Sequence, residues 1–241
     1  LSKLVAGSFG TLVALTEITL KVLPKKKLSK TITIHTEDRK LVNELFEKIS
    51  GSSQEISGAV FIPEEPDDKN YNHNKEMVFK FNDLKSKGSF LALRIEGDKI
   101  SLDEKIKALT NELKLDKVDS TILDIYQSIP FWKKINNLEL FKATKNNLLR
   151  VVIPPSKGIK LMQYLSNKYK YYVDWCGSLY WIEIQSKKNT TVKEIKNLIK
   201  ELEGYLTIIK TSDEYDYEET IFTVDSTRLL ISEKIKKSFD P

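Results

Sequence analysis

Between Leu148 and Lys210 the chain reads LLRVVIPPSKGIKLMQYLSNKYKYYVDWCGSLYWIEIQSKKNTTVKEIKNLIKELEGYLTIIK, and the order of elements in this stretch decides the fold. Leu148 to Ile153 is an apolar run of strand length, and Pro154-Pro155-Ser156 opens a helix carrying Ile159, Met162 and Leu165 on one face. Tyr171 to Trp175 returns as a strand, Cys176-Gly177-Ser178 turns, and Leu179 to Ile184 runs back. Thr191-Val192-Lys193-Glu194 caps a helix with Ile195, Leu198, Ile199 and Leu202 inward, and Tyr205 to Lys210 is extended. Strand, helix, strand, strand, helix, strand is the ferredoxin-like order.

The chain upstream approximates the same order. Thr31 to His35 is a short alternating strand, and Thr36-Glu37-Asp38 caps a helix bearing Leu41, Val42, Leu45, Phe46 and Ile49. Gly51-Ser52-Ser53 ends it, Ile56 to Ile62 is a strand, and Pro63 to Asn74 is a polar loop. Met77 to Phe81 and Ser89 to Glu96 are two more extended segments, and Ser101-Leu102-Asp103-Glu104 is a capping box before a helix with Ile106, Leu109 and Leu113 inward. Two such halves, about 28–127 and 145–212, predict an α+β fold in which one antiparallel sheet is covered by helices on one side. A last helix spans 225–239, with Leu230, Ile231 and Ile235 apolar.

A different kind of segment comes first. Gly7-Ser8-Phe9-Gly10-Thr11 is a paired-glycine loop that runs into Ile18-Thr19-Leu20-Lys21-Val22, an alternating strand closed by Pro24. Glycines permit positive φ and close backbone approach, and the hydroxyls of Ser8 and Thr11 add donors suited to phosphate or a cofactor edge; the same spacing also serves as a plain turn. The proline and the lysines after it mark a boundary, so residues 1–25 and 26–241 read as parts of two domains.

The composition is that of an ordinary globular chain: 241 residues, 40% hydrophobic, 30% charged and net +5 at pH 7. Basic and acidic runs are scattered, and no basic stripe with interleaved aromatics points to nucleic acid. One cysteine, Cys176, excludes an intramolecular disulfide and a cysteine-cluster metal site. His35 and His73 stand apart without a ligand at metal spacing, so no metal site is expected. Charged groups inside apolar strands are more informative. Arg94 lies within Leu91 to Gly97, where pairing with a neighbouring acid is the simpler reading, and Arg150 lies between Leu149 and Val151. An arginine at 150 suits a substrate carboxylate or a structural ion pair, and Asp174-Trp175 puts an acid and an indole at a tight turn.

Gly7 to Pro24 resembles the G-S-x-G-T-L-G-V-L-T-E-x-T-L-K-V-L-P segment that ends the FAD-binding domain of PCMH-type, vanillyl-alcohol-oxidase-like FAD-linked oxidases. Val13 replaces that pattern's third glycine. Ile56-Ser57-Gly58, Leu91 to Gly97, Leu149 to Pro155 and Val173 to Trp181 follow in the order of I-S-G, L-x-I-R-L-E-G, L-W-R-I-S-L-P and D-W-G-G-A-x-R-W-L in the FAD-binding subunits of glycolate oxidases, with Cys176 in place of a glycine and Tyr180 near the family arginine. Ile235 to Pro241 is similar to the segment before that family's closing N-P-G-R, which is absent.

The resemblance implies the end of a PCMH-type FAD-binding domain, contributing its last strand, followed by a cap domain. It implies flavin-mediated oxidation of glycolate to glyoxylate, with Gly7, Ser8, Gly10, Thr11 and Leu15 contacting FAD and Arg150, Asp174 and Trp175 near the substrate. Most FAD contacts would lie upstream of Leu1, so the chain by itself is expected to be inactive and to bind FAD weakly or not at all. No H-x-G-D-G-N-x-H type motif is present, as in subunits that work beside a catalytic FAD subunit and an iron-sulfur subunit. A cytoplasmic location follows, at the inner face of a bacterial membrane, with peripheral association through the complex. Oxidation of another acid such as D-lactate, or a non-catalytic ligand-sensing or protein-docking module, are the alternatives.

Overall fold

Eight strands form one antiparallel sheet in a computed structural model that describes residues 2–22, 24, 26, 28–64, 88–184, 189–213, 223 and 225–239. In chain order they are β1 (Leu28–His35), β2 (Ile56–Ile62), β3 (Phe90–Gly97), β4 (Ser120–Leu123), β5 (Asn147–Val152), β6 (Lys170–Asp174), β7 (Leu179–Ile184) and β8 (Tyr205–Lys210). The helices are α1 (Ser2–Val5), α2 (Arg39–Gly51), α3 (Lys99–Glu112), α4 (Ile125–Asn136), α5 (Gly158–Leu165), α6 (Asn189–Glu201) and α7 (Ser226–Phe239). Across the sheet the order is β4-β1-β3-β2-β6-β7-β5-β8. Each half is thus a βαββαβ unit, and the halves meet where β2 pairs with β6, Phe61 opposite Val173.

Alternation along the strands divides the side chains between two cores. On one face Ile32, Leu93, Phe61 and Ile182 pack with Phe46 of α2, Leu109 of α3, Met162 of α5 and Ile195 of α6. On the other, Val60, Ala92 and Tyr172 pack with Phe131, Trp132 and Ile135 of α4. Helices therefore cover both faces rather than one. Central strands apolar on both sides need a second cover, and α4, absent from the sequence reading together with β4, supplies it. Its start is a capping box: Asp124 Oδ1 accepts from the N–H groups of Tyr126 and Gln127 at 2.9 and 3.0 Å, and Gln127 Oε1 accepts from Asp124 N–H at 3.2 Å. Pro130 lies inside this helix, at a cost in backbone hydrogen bonding that the buried Phe131, Trp132 and Ile135 offset.

Other boundaries shift for local reasons. The second helix begins at Lys99, so Ser101 is its third residue and accepts from Asp98 N–H at 3.2 Å instead of capping it. Thr191 is likewise inside α6, and Trp175 leaves the strand for a turn. Asp38 caps α2 as expected, accepting from Lys40 and Leu41 N–H. Met77 to Phe81 and most of the polar loop lie outside the described residues.

Leu1–Lys25 and Thr223–Pro241 form a unit of their own, and Lys26–Phe222 holds the sheet. In the smaller unit the expected strand at 18–22 makes no ladder, and Ile18, Leu20 and Val22 are exposed. Alternation gives a strand one apolar face but no edge to bond, and among the described residues no strand pairs with it. α7 carries Leu230 and Ile231 exposed as well.

Gly204, between α6 and β8, shows how closely the helices seat. A Cβ there would come within 2.5 Å of Ile153 Cγ2 and 2.8 Å of the Val152 carbonyl oxygen. Gly204→Ala is expected to lower stability by about 1–3 kcal/mol, read as a lower urea midpoint at unchanged slope. A midpoint equal to wild type would show that this contact relaxes freely.

Candidate functional site

A β-bulge starts the site. The β2–β3 register shifts between Ile56 and Gly58, leaving Ser57 as the extra residue and setting Gly58 opposite Arg94. Arg94 Nε donates to Ser57 Oγ at 2.9 Å, and its NH2 donates to the Ser57 carbonyl at 2.7 Å. The expected acidic partner is Glu96, but its carboxylate is 3.9 Å away, so the serine holds the arginine more tightly than the acid does. The guanidinium also lies over the Trp132 ring, 5.0 Å from its centroid, a cation–π contact of about 0.5–2 kcal/mol.

Trp132 is itself fixed. Its Nε1–H donates to Thr31 Oγ1 at 2.9 Å, and Thr31 and Ser29 share the hydroxyl of Ser128 at 2.7 and 2.9 Å, all buried between β1 and α4. The far edge of the indole occupies the place of a side chain at Gly58, where an added Cβ would meet it at 3.0 Å. The absent side chain at 58 lets the ring lie flat on β2.

The opposite wall is the turn after β6. Asp174 Oδ1 accepts from Trp175 N–H at 2.7 Å, and Ser178 N–H closes the turn on the Trp175 carbonyl at 3.2 Å. Trp175 and Cys176 both have φ of 50°, and Gly177 follows at 89°. Left-handed backbone costs roughly 1–2 kcal/mol for each L residue, so this turn is held against strain. Trp175 is 56% exposed, with the Arg150 guanidinium 5.3 Å from its ring. These residues enclose a cleft of about 250 Å³ lined by Ser57, Gly58, Arg94, Trp132, Asn136, Asp174, Trp175 and Cys176 among others.

Burial raises the pKa of Asp174 above the ordinary 3.8, and the Trp175 N–H and the Arg94 charge pull partly against it. Burial, with the nearby Asp174 charge, also raises the Cys176 thiol, against a hydrogen bond with Ser50 that lowers it, which disfavours the thiolate. Among the described residues no cluster of His, Cys, Asp and Glu is arranged to hold a metal.

Of the residues singled out from sequence, Asp174 and Trp175 line one cleft and Arg150 reaches it through the Trp175 ring. Arg94, read there as a simple ion pair, is the cation inside. Gly58, Trp132 and Asn136 were missed, although the Asp124 capping box marks the helix that carries the last two. Gly7, Ser8, Gly10, Thr11 and Leu15 belong to the smaller unit. There Gly7 and Gly10 have φ of 84° and 73° with no atom near an added Cβ, Leu15 is exposed, and Thr11 Oγ1 donates to the Ser8 carbonyl at 2.6 Å. The space beside Gly7 and Gly10 would admit one edge of a cofactor, while the Ser8 and Thr11 N–H groups and the Thr11 hydroxyl proton are spent on the turn.

No protein-family model and no curated protein matches the sequence. Solved structures do. p-Cresol methylhydroxylase, determined with substrate bound, superposes on 91% of this chain with a TM-score of 0.53 at 14% identity. Alkyldihydroxyacetonephosphate synthase covers 89% at 0.44 and 13%, and the VAO-type flavoprotein MtVAO615 from Myceliophthora thermophila C1 covers 89% at 0.42 and 10%. The chain spans 52% of the first structure, 43% of the second and 45% of the third. The first likeness shows the fold: α+β, with an eight-stranded antiparallel sheet and helices, agreeing with the cap domain expected from sequence.

Asp174 gives a direct test of the cleft. Its folded-state pKa lies above the unfolded one, so its contribution to stability is fully present below about pH 3.9 and is lost as pH rises through the folded value. Carboxyl NMR is expected to show a midpoint above 3.8 in wild type, and a still higher one in Arg94→Gln, which removes the opposing charge. Asp174→Asn is expected to gain stability relative to wild type above that window. A midpoint unmoved by Arg94→Gln would mean the two groups do not share the cleft.

Proposed function

We propose that this chain is the cap portion of an FAD-linked oxidoreductase that oxidises glycolate, or a close 2-hydroxy acid, to the 2-oxo acid. One observation carries the reading: a sheet with the fold of the cap domain places a cation and a carboxyl together in a small cleft where its two halves meet. Fold alone names no chemistry, so the cleft residues bear the functional step. When bound, FAD would accept two electrons from the substrate carbinol. Gly7, Ser8, Gly10 and Thr11 would hold one of its edges, with the Leu15 backbone beside them.

This chain's own residues then bind, orient and take a proton. Arg94, held by Ser57, orients an anionic substrate beside the Trp132 ring. Asp174, whose proton affinity is raised by burial, receives the substrate hydroxyl proton on its ionised carboxylate and becomes the neutral acid, while the Trp175 N–H fixes one oxygen. Trp175 and Arg150 close the outer side and limit water. A catalytic FAD subunit and an iron-sulfur subunit are the proposed partners, with the complex at the cytoplasmic face of a membrane. Among the described residues no helix is long and apolar enough to cross one.

The deciding measurement is the absorbance spectrum of protein expressed from the full reading frame. Flavin bands that bleach with anaerobic glycolate are expected, whereas the 241-residue chain by itself is expected to be colourless or to bind FAD weakly. A folded, colourless full-frame protein would sink the flavin reading and leave a docking or sensing module.

A further inference from the structure

Two arginines serve the cleft, but only the Arg94 side chain lines it; Arg150 touches the outer indole. We propose that Arg94 is the anion seat of this cleft and that it selects small monoanions over dianions. The inference deepens the functional reading above and rests on it in taking the cleft as the substrate's place. It concerns a specificity-determining residue and needs no flavin.

Preorganisation is the first ground. Two of the guanidinium nitrogens donate to Ser57, at 2.9 and 2.7 Å, and its face packs on Trp132. Trp132 is pinned in turn by Thr31. The arginine is therefore ordered before a ligand arrives, which lowers the entropy lost on binding. Among the described residues Arg150 has the exposed Trp175 ring as its partner.

Charge balance is the second. Glu96 lies 3.9 Å from Arg94 Nε, and Asp174 is close enough across the cleft to feel the arginine's field. One ligand charge meets the guanidinium, which Glu96 already partly neutralises, while a second would face the Asp174 carboxyl in a partly buried space. Size is the third, since a cleft of about 250 Å³ falls below the roughly 300–1,000 Å³ of sites for drug-sized ligands. At the scale of a ~150 Å³ cavity that takes benzene, it holds on the order of ten heavy atoms.

The test is an NMR titration of the 241-residue chain, following the indole N–H signals of Trp132 and Trp175. The probes are glycolate and propionate as monoanions, glycolamide as the neutral isostere, and oxalate as the dianion. Glycolate and propionate are expected to shift both signals saturably, with glycolamide and oxalate weaker by about tenfold or more. Arg94→Gln is expected to weaken glycolate by about ten- to hundredfold, more than Arg150→Gln does, with Arg94→Lys in between. Should Arg94→Gln not fold, the four wild-type probes decide. Glycolamide binding as well as glycolate, oxalate binding more tightly, or a larger loss in Arg150→Gln would each overturn the proposal. Flavin bands in the full-frame protein beside any of those results would remove the anion seat and keep the flavin reading; selective monoanion binding with a colourless protein would do the reverse.

Discussion

The seam between β2 and β6 is the constraint on which the rest depends. A ferredoxin-like half leaves its second strand at an edge, with a row of unpaired backbone groups, and joining two such edges removes both liabilities at once. The antiparallel register, with Phe61 opposite Val173, then fixes every strand of one half relative to the other. It also fixes which side chains can meet. Continued along the chain, that register would set Gly58 opposite Cys176, but β6 ends at Asp174 and the backbone turns away. The start of β2 is left without a partner on that side, and the cleft forms in the gap.

What prevents the gap from collapsing is the second core. Trp132 lies across β2 because Gly58 has no side chain, and the buried hydroxyls of Thr31, Ser128 and Ser29 hold the ring from behind. Each such bond contributes about 1 kcal/mol net, but leaving one of these groups unpaired would cost about 1–3 kcal/mol. The network therefore specifies one ring position more than it adds stability. Arg94 inherits that position through its contact with the ring.

Much of this was legible where the signal is local. Ile56–Ile62, Leu179–Ile184 and Tyr205–Lys210 alternate or run apolar between clear punctuation, and their bounds in the structure match the sequence reading. α4 was hidden by Pro130 and by polar residues around Trp132, although Asp124 and Gln127 announce its start. β4 is short and mostly exposed, with little pattern to read. The 18–22 stretch failed in the other direction: its alternation is real, but a ladder needs an edge that the stretch does not contain. The cleft was half legible, since Asp174 and Trp175 stood out at their turn, while the bulge at Ser57 and the β2–β6 register are set only by tertiary pairing.

The doubled sheet is nearly symmetric, yet the two strands at its seam are offset. With Phe61 opposite Val173, residues 60–62 of β2 face residues 172–174 of β6, so residues 56–59 of β2 have no strand opposite them across the seam. An unshifted pair would bond along more of its length and close the gap with backbone. The mismatch instead leaves the bulged start of β2 facing a strained turn, and α4 lies over that side. Strain at Trp175 and Cys176 persists because Asp174 caps the turn and Phe46 packs against Gly177 from the other core. The carboxyl that holds the turn is thus the same carboxyl that faces Arg94, so the geometry of the turn and the charge of the cleft cannot be changed independently.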